Sequence, residues 1–255
     1  MGRGQKMIHV CTTYFDPRQR CVGPLEFSAE RFGVSVSNFG WNDKFDGFLR
    51  TKLIPLRKHL DSVRANMTMF VDGNDTILTS TLEAIEKTWE KISHSKVVIG
   101  SELVVWPYPE LEQRQVALAG ASKSPYKFVD TGLMIGTTND LKRLLDIVID
   151  SVPGYEETML GTPKHILEDD VGLFVLNMLD ERIDVTIDYG CEIIAPLKNT
   201  DTNDYNVVDG KLHLHLTGTT PHIVHCNGHR SEDRRRMKQV SSGLLGGVKT
   251  KVRKA

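Results

Sequence analysis

The sequence predicts an α/β fold in which helices flank both faces of a mostly parallel sheet. The first observation behind this prediction is an alternation of strand-like apolar runs and amphipathic helical segments between residues 7 and 100. Such alternation is typical of parallel strands, because each crossover between them needs a long connection. The second observation is composition: 40% of the 255 residues are hydrophobic and 25% are charged, which suits one globular domain with a substantial core.

In the first part of the chain, the spacing of apolar residues distinguishes strands from helices. Continuous or alternating apolar residues predict strands, and apolar residues three or four positions apart predict helices. The predicted segments, in chain order, are strand 7–13, helix 24–32, strand 34–36, helix 51–63, strand 69–71, helix 82–92 and strand 97–100.

The second part of the chain is less regular, because Trp106-Pro-Tyr-Pro109 interrupts the pattern. We expect residues 1–229 to form a single domain. Residues 230–255, rich in Gly, Ser, Lys and Arg, are predicted to be a basic, flexible tail that packs poorly. The remaining predicted segments are strand 128–135, helix 139–151, helix 165–179 and short strands 185–187, 212–216 and 223–225.

Charge and cysteine content exclude several classes of protein. The formal net charge of −1 gives no reason to expect a nucleic-acid or membrane partner. The four cysteines include no C-x-x-C pair, and Cys11 and Cys191, in apolar contexts, are predicted to be buried free thiols. With no membrane-spanning run and no signal sequence, a cytoplasmic location is expected. The sequence leaves the oligomeric state open, including a homo-oligomer.

The segment around Asp72-Gly-Asn-Asp75 carries the strongest chemical signal. The preceding apolar run predicts a buried strand, and the aspartates lie in the turn at its carboxyl end, where open α/β sheets bind ligands. Two carboxylates there suit Mn²⁺ or Mg²⁺ that binds substrate phosphates, although Asp and Asn also favour turns without any metal. A phosphatase of the haloacid-dehalogenase type needs aspartates two residues apart, and the interval of three between Asp72 and Asp75 disfavours that class.

A second candidate region is the segment that ends in His225. A neutral imidazole at a strand end suits a third ligand to an ion that carboxylates hold, and Gly228 permits close approach of the backbone to a ligand. Taken alone, His225 fits a hydrogen-bonded loop histidine better than a metal ligand. The pairing of His225 with the two aspartates is therefore a hypothesis that depends on the fold.

Aromatic and acidic residues elsewhere add weaker signals. Trp41 and Trp106 lie in predicted loops, where an aromatic face suits stacking on a base or a sugar. Asp169 and Asp170 open a predicted helix, and on their own they fit residues that interact with the positive end of the helix dipole.

Six segments resemble, in order, motifs of the glycosyltransferase domain of procollagen lysyl hydroxylases. Phe-Val-Asp-Gly-Asn-Asp-Thr-Ile-Leu at 70–78 resembles the family's Phe-Val-Asp-x-x-Asp-Val-Ile-Leu metal motif, and Phe-Val-Asp-Thr-Gly-Leu-Met-Ile-Gly at 128–136 resembles Phe-Leu-Asn-Ser-Gly-Gly-Phe-Ile-Gly. Each match alone is weak, whereas six in order are fairly specific. The other four lie at 101–107, 169–174, 187–194 and 221–228.

The resemblance implies a GT-A (Rossmann-like) glycosyltransferase fold and a retaining transfer of glucose from UDP-glucose to galactosylhydroxylysine of a collagen-like polypeptide, in α-1,2 linkage. It also implies a metal cofactor, Mn²⁺ with Mg²⁺ as the alternative. By this resemblance, the metal ligands are Asp72, Asp75 and His225. The residues expected to contact the nucleotide are Thr12, Thr13, Tyr14, Trp41, Lys52, Asp72, Gly228 and Arg230. The residues expected to be catalytic or to contact the sugar are Trp106, Asp130, Asp169 and Asp170.

The chain departs from the family pattern mainly where the sugar and the acceptor are expected. Asp130 stands at a family Asn, Val105 at a Cys, and Val171-Gly172 at the end of an acidic run. A lysine expected after the late histidine motif is missing, and Arg230 is close enough to serve the diphosphate instead. With no hydroxylase domain and no iron-binding set, we expect a free-standing transferase of viral or bacterial kind.

Two alternatives stay open at this point. One is a GT-A transferase with another UDP-sugar or acceptor, such as a galactosyltransferase or a phage or viral glycan enzyme. The other is a non-catalytic module that binds a sugar nucleotide or collagen. The presence of Asp72, Asp75 and His225 argues against the second, because a binding module does not need a metal at the leaving group.

Overall fold

The computed structural model describes residues 8–13, 23–40, 45–93, 97–228 and 231–246. Its strands are β1 Ile8–Thr12, β2 Val36–Asn38, β3 Met67–Val71, β4 Thr76–Leu78, β5 Val97–Glu102, β6 Phe128–Thr137, β7 Thr186–Ile187, β8 Ile194–Pro196, β9 Tyr205–Val208, β10 Lys211–Leu214 and β11 Ile223–His225. Its α-helices are α1 Pro24–Glu30, α2 Ile54–Leu60, α3 Leu82–Ile92, α4 Glu112–Ala119, α5 Thr138–Asp150, α6 Val152–Thr158, α7 Lys164–Leu167, α8 Asp170–Leu179 and α9 Ser231–Leu245. A π-helical turn at Leu49–Leu53 runs directly into α2, and a 3₁₀ turn at Pro109–Leu111 precedes α4.

The main sheet has six strands in the order β2-β1-β3-β6-β5-β7. The pairs β1–β2, β1–β3 and β5–β7 are parallel, whereas β6 runs antiparallel to both β3 and β5. Among these six strands, five therefore share one direction. The predicted α/β fold with a mixed, mostly parallel sheet flanked by helices is confirmed.

The central strand β3 lies between two apolar layers of the core. All five of its residues are buried, and successive side chains point to opposite faces of the sheet. Phe70 packs into the layer formed with α2, α5 and α8, whereas Met69 and Val71 pack into the layer formed with α1 and α3. Helices thus cover both faces, and the carboxyl end of β3 emerges between them at Asp72.

A second, three-stranded sheet has the order β4-β11-β8. β4 begins immediately after the Asp72–Asp75 turn and pairs antiparallel with β11, so that Thr76 lies opposite His225. The Thr79 N–H also donates to the His222 carbonyl at 2.9 Å. This pairing joins the turn after β3 to a segment near the end of the described chain.

One sequence-based prediction about helices is wrong. The segment predicted as one helix at 165–179 forms two, α7 and α8, because Asp169 adopts an extended conformation and caps α8 through a bond from the Gly172 N–H. Within residues 230–255, which the sequence predicts to be a flexible tail that packs poorly, the described residues 231–245 form a helix, α9. Its Val240 and Leu244 are each 1% exposed, since apolar residues recur at helical spacing among the basic ones.

Several shorter elements had no prediction, namely β4, β8, β9, α4 and α6. They are short or interrupted by polar residues, and tertiary contacts decide such segments more than local pattern does. Within the part of the chain that is described, no helix combines the length and the apolar character that crossing a membrane requires.

Candidate functional site

The turn between β3 and β4 places Asp72 and Asp75 beside His225. The Nε2 atom of His225 lies 3.3 Å from Oδ1 of Asp75 and 3.9 Å from Oδ2 of Asp72. The backbone reinforces this arrangement, because the Cys226 N–H donates to the Asp75 carbonyl at 2.7 Å. Three residues that the resemblance names as metal ligands are therefore neighbours in the fold.

His225 is held on its other side by β6. Its Nδ1 atom lies 3.1 Å from Oδ2 of Asp130, and the imidazole is the donor, since an ionised carboxylate can only accept. The Gly132 N–H donates to the other oxygen of Asp130 at 3.0 Å. A side chain at Gly132 would collide with the ring, because a Cβ there would lie 2.6 Å from Nδ1 of His225. Because Gly132 has no side chain, the imidazole of His225 can pack directly against the backbone of β6.

The carboxylates around His225 favour the positively charged form of its imidazole. Burial by itself lowers the pKa of His225, but the carboxylates of Asp75 and Asp130 outweigh burial and raise that pKa well above its ordinary value. Burial likewise opposes ionisation of Asp130, yet His225 and the Gly132 N–H together lower the pKa of Asp130. These surroundings therefore favour protonation of both ring nitrogens, and the Nε2 proton is the one that a bound metal ion would displace.

Lys52 connects Asp72 to the beginning of α8. This lysine lies in the π-helical turn and is 2% exposed, and its Nζ lies 3.0 Å from Oδ1 of Asp72 and 2.7 Å from Oδ2 of Asp170. Nζ also donates to the Thr131 carbonyl at 3.1 Å, and the Thr131 hydroxyl donates to Asp170 at 2.6 Å. Burial lowers the pKa of Lys52, but Asp170 and Asp72 raise it beyond its ordinary value. The buried ammonium is charged and orients both carboxylates.

Asp169 and Trp106 form a further polar contact at the same end of α8. Asp169 accepts from the Gly172 N–H at 3.0 Å through Oδ1, and from the Trp106 indole N–H at 3.1 Å through Oδ2. Burial and the neighbouring Asp170 raise the pKa of Asp169 to about 6. The Trp106 side chain stays 53% exposed. Asp169 is thus a helix cap that also orients an exposed aromatic ring.

The residues expected to contact the nucleotide are only partly described. Thr12 and Thr13 lie buried at the carboxyl end of β1, and the Thr13 hydroxyl donates to the Thr51 carbonyl at 3.5 Å. The buried Thr12 hydroxyl has no hydrogen-bond partner among the described residues, so a ligand there would satisfy it. Gly228 has a φ of 126°, a conformation that favours glycine. The predicted contacts Tyr14, Trp41 and Arg230 lie outside the described residues.

Two polar residues hold the loop after β11. They lie within the resembling segments 101–107 and 221–228, and the sequence alone indicated no role for them. The Asn227 side-chain amide donates to Oε2 of Glu102 at 2.5 Å, and its oxygen accepts from the Lys198 N–H at 3.0 Å. Burial and the nearby Asp130 raise the pKa of Glu102 to about 7. An acidic residue at the end of an apolar strand was a visible signal for Glu102, but its partner is 125 residues away.

The chemistry of this cluster fits a divalent cation. Two carboxylates and one imidazole converge, and such a mixed oxygen and nitrogen set suits Mn²⁺ and related ions. Asp130 fixes the ring so that Nε2 faces the two aspartates, as carboxylates commonly do for histidine ligands of metals. Carboxylates also outnumber cationic groups in the cluster, with Asp72, Asp75, Asp130 and Asp170 against Lys52 and His225.

Comparison with known proteins gives one family and several structures. The family model described as the PLOD GT domain, a glycosyltransferase domain, matches residues 6–233. Among curated proteins, none matches the chain.

The structural similarities are to glycosyltransferases of low sequence identity. The galactosyltransferase LgtC, in complex with donor and acceptor sugar analogues, is 13% identical with a TM-score of 0.53, covering 93% of this chain and 96% of that one. An active-site mutant of LgtC is 12% identical with a TM-score of 0.53, covering 92% and 95%. A glycosyltransferase involved in glycosylation of the major capsid of PBCV-1 is 12% identical with a TM-score of 0.48, covering 91% and 99%. The LgtC similarities show the GT-A fold.

Proposed function

The chain belongs to the PLOD glycosyltransferase-domain family, and we propose that it is a metal-dependent, retaining enzyme that transfers glucose from UDP-glucose to galactosylhydroxylysine of a collagen-like polypeptide, forming an α-1,2 linkage. That it is a glycosyltransferase of the GT-A kind rests on the family and the fold. The donor, the acceptor and the metal are the proposal. One observation carries it: Asp72, Asp75 and His225 meet at the carboxyl end of the central strand.

On the donor side, the proposal assigns Asp72, Asp75 and His225 as ligands of a divalent cation. Mn²⁺ is the preferred ion and Mg²⁺ the alternative. When bound, such an ion neutralises the charge that develops on the leaving diphosphate. We place the uridine at the end of β1, beside the buried Thr12 and Thr13. The Thr12 hydroxyl, which has no hydrogen-bond partner in the described part of the chain, would donate to it.

Lys52 has two roles in this proposal. Its ammonium holds Asp72 in a fixed orientation, so the carboxylate is preorganised for a cation. The same ammonium holds Asp170, which places this second carboxylate beside the expected position of the sugar. A single buried cation therefore couples the donor side of the site to the beginning of α8.

On the sugar side, Asp170 is a candidate to stabilise oxocarbenium character and Asp169 to hold Trp106 as an aromatic platform. Asp130 accepts hydrogen bonds from His225 and Gly132, so we assign it to positioning His225.

The carboxylate of Asp170 is likewise occupied by contacts with Lys52 and Thr131, so we favour a front-face substitution. In that step, the C1–oxygen bond to UDP breaks, the acceptor oxygen bonds to C1 on the same face, and its proton goes to a phosphate oxygen. Trapping a covalent glycosyl-enzyme would overturn this step.

The test is UDP release from UDP-glucose or UDP-galactose with Mn²⁺, with and without a galactosylhydroxylysine peptide. We expect faster release from UDP-glucose when that peptide is present. Asp75→Ala should abolish the release, whereas Asp150→Ala, at an exposed aspartate of α5, should leave it unchanged.

Three other outcomes have defined meanings. Faster release from UDP-galactose, or with a different acceptor, would support a GT-A transferase of another specificity. Binding of UDP without consumption of either donor would favour a non-catalytic sugar-nucleotide module. Full turnover by Asp75→Ala would remove the support for the metal assignment.

A further inference from the structure

A second cluster of metal-binding side chains lies between β1 and α2. His9 and Cys11 are two residues apart on β1, so they point to the same face of the sheet, toward α2. On α2, His59 approaches them, and its Nε2 atom lies 2.9 Å from Nε2 of His9. One ligand atom from each of the three residues lies within 4.8 Å of the other two. Two imidazole nitrogens and one sulfur therefore share a small volume.

We propose that His9, Cys11 and His59 bind a Zn²⁺-class ion, a borderline transition-metal cation, with water in the fourth position. Zinc lies about 2.0–2.1 Å from histidine nitrogen and about 2.3 Å from cysteine sulfur, usually in tetrahedral geometry. Those bond lengths place two nitrogens roughly 3.3 Å apart, so the imidazoles need to separate by only about 0.4 Å. The donor set also selects the ion, because thiolate and imidazole suit Zn²⁺ whereas Mn²⁺ and Mg²⁺ prefer oxygen.

The surroundings of the cluster permit entry of an ion. Cys11 is fully buried and is a free thiol, as the sequence predicted, but His9 and His59 are only partly buried.

The cluster is separate from the candidate glycosyltransferase site but packs behind it. Phe39 stacks on His59 with ring centroids 5.3 Å apart and contacts Phe70 at 6.1 Å. Lys52 also contacts Phe70, with Nζ 5.0 Å from the ring centroid. Because the turn that carries Lys52 continues directly into α2, an ion that ties His59 to β1 would also stabilise the segment carrying Lys52. We therefore assign this ion a structural role.

The alternative is a simple hydrogen bond between two histidines, which the 2.9 Å distance also allows. That contact needs one imidazole to donate and the other to accept, and it gives Cys11 no role. The two interpretations differ in a measurable way, because only the metal site makes a sulfur–metal bond.

The first experiment titrates the full chain, freed of metal, with Co²⁺ as a spectroscopic substitute for Zn²⁺. We expect a near-ultraviolet sulfur-to-cobalt charge-transfer band that saturates at one equivalent and is abolished by stoichiometric Zn²⁺. Cys11→Ser should lose the band, whereas Cys191→Ser, at another buried free thiol, should retain it. Asp75→Ala should also retain it, which separates this ion from the one at the candidate transferase site.

The second experiment tests the proposal with another ligand, in case Cys11→Ser fails to fold. His59→Asn, at a partly buried position, should weaken Zn²⁺ binding at least tenfold, and His222→Asn should not. Zn²⁺ at about 100 times its dissociation constant should raise the Tm of the wild type by roughly 5 °C and that of His59→Asn by much less. Absence of the charge-transfer band in the wild type, or its survival in Cys11→Ser, would overturn the proposal.

Discussion

Asp130 accepts a hydrogen bond from Nδ1 of His225 at 3.1 Å, and this contact turns Nε2 of the imidazole toward Asp72 and Asp75. The resemblance to known transferases leads one to expect Asn at this position and a contact with the sugar. Here the carboxylate is buried against the histidine. The relationship makes Asp130 a positioning residue for the proposed metal site, and it motivates the first prediction.

Replacing Asp130 with Ala should lower Mn²⁺ affinity by about 10- to 100-fold, because His225 would lose the group that fixes its orientation. Asp130→Asn should recover much of that affinity, since the amide oxygen still accepts from Nδ1. Mn²⁺ binding followed by electron paramagnetic resonance measures both. Equal losses in the two variants would contradict a positioning role.

Gly132→Ala should displace the imidazole of His225, because the new Cβ would lie 2.6 Å from Nδ1. We expect Mn²⁺ affinity to fall at least tenfold and UDP release to fall with it. Gly154→Ala is the matched control, as nothing lies within 4 Å of a Cβ at that position. Unchanged Mn²⁺ affinity in Gly132→Ala would show that His225 does not bind the ion in this position.

Lys52→Met should destabilise the protein by about 3 kcal/mol, because it removes the cation that Asp72 and Asp170 share and leaves a buried carboxylate uncompensated. The free energy of unfolding from urea denaturation measures the effect. Adding Asp170→Asn to Lys52→Met should restore part of the stability, since the uncompensated charge disappears. A double variant less stable than Lys52→Met would argue against charge burial as the cause.

Glu102 should make stability depend on pH. Its folded-state pKa of about 7 lies above the ordinary value of 4.5, so the folded protein binds the extra proton. The resulting stabilisation is complete below about pH 4.5 and is lost as the pH rises through 7, by about 3 kcal/mol in total. Glu102→Gln should remove this pH-dependent part of the stability. It is measured as the difference in free energy of unfolding between the wild type and the variant at each pH. If the difference in free energy of unfolding between the two proteins does not vary between pH 5 and 8, the pKa of Glu102 is not raised in the folded state.

Trp106→Ala should raise the KM for the acceptor by roughly 3- to 10-fold, the range expected for loss of one aromatic contact. The ring is 53% exposed, so the Tm should change little. UDP binding, measured by calorimetry, should be unaffected if the ring faces the acceptor. Weaker UDP binding with an unchanged KM would instead place Trp106 on the donor side.

Local pattern was sufficient for the elements with a clear period. The strands β1, β3, β5 and β6 and the helices α3 and α5 follow from the spacing of their apolar residues, and so does the α/β class. The packed helix α9 shows the limit, because its basic composition suggested a solvated tail while Val240 and Leu244 are buried in the structure. Composition describes an average, whereas burial depends on which face meets the core.

The two aspartates of the candidate site were visible in the sequence because they lie three residues apart, directly after an apolar strand. The tertiary structure alone brought His225 to them, through the antiparallel pairing of β4 with β11. It also turned Asp130 toward His225, paired Lys52 with both Asp72 and Asp170, and set His59 beside His9 and Cys11. The physical reason is that spacing along a chain controls contacts within one helix or strand, whereas contacts between distant segments depend on strand register and on how the layers pack.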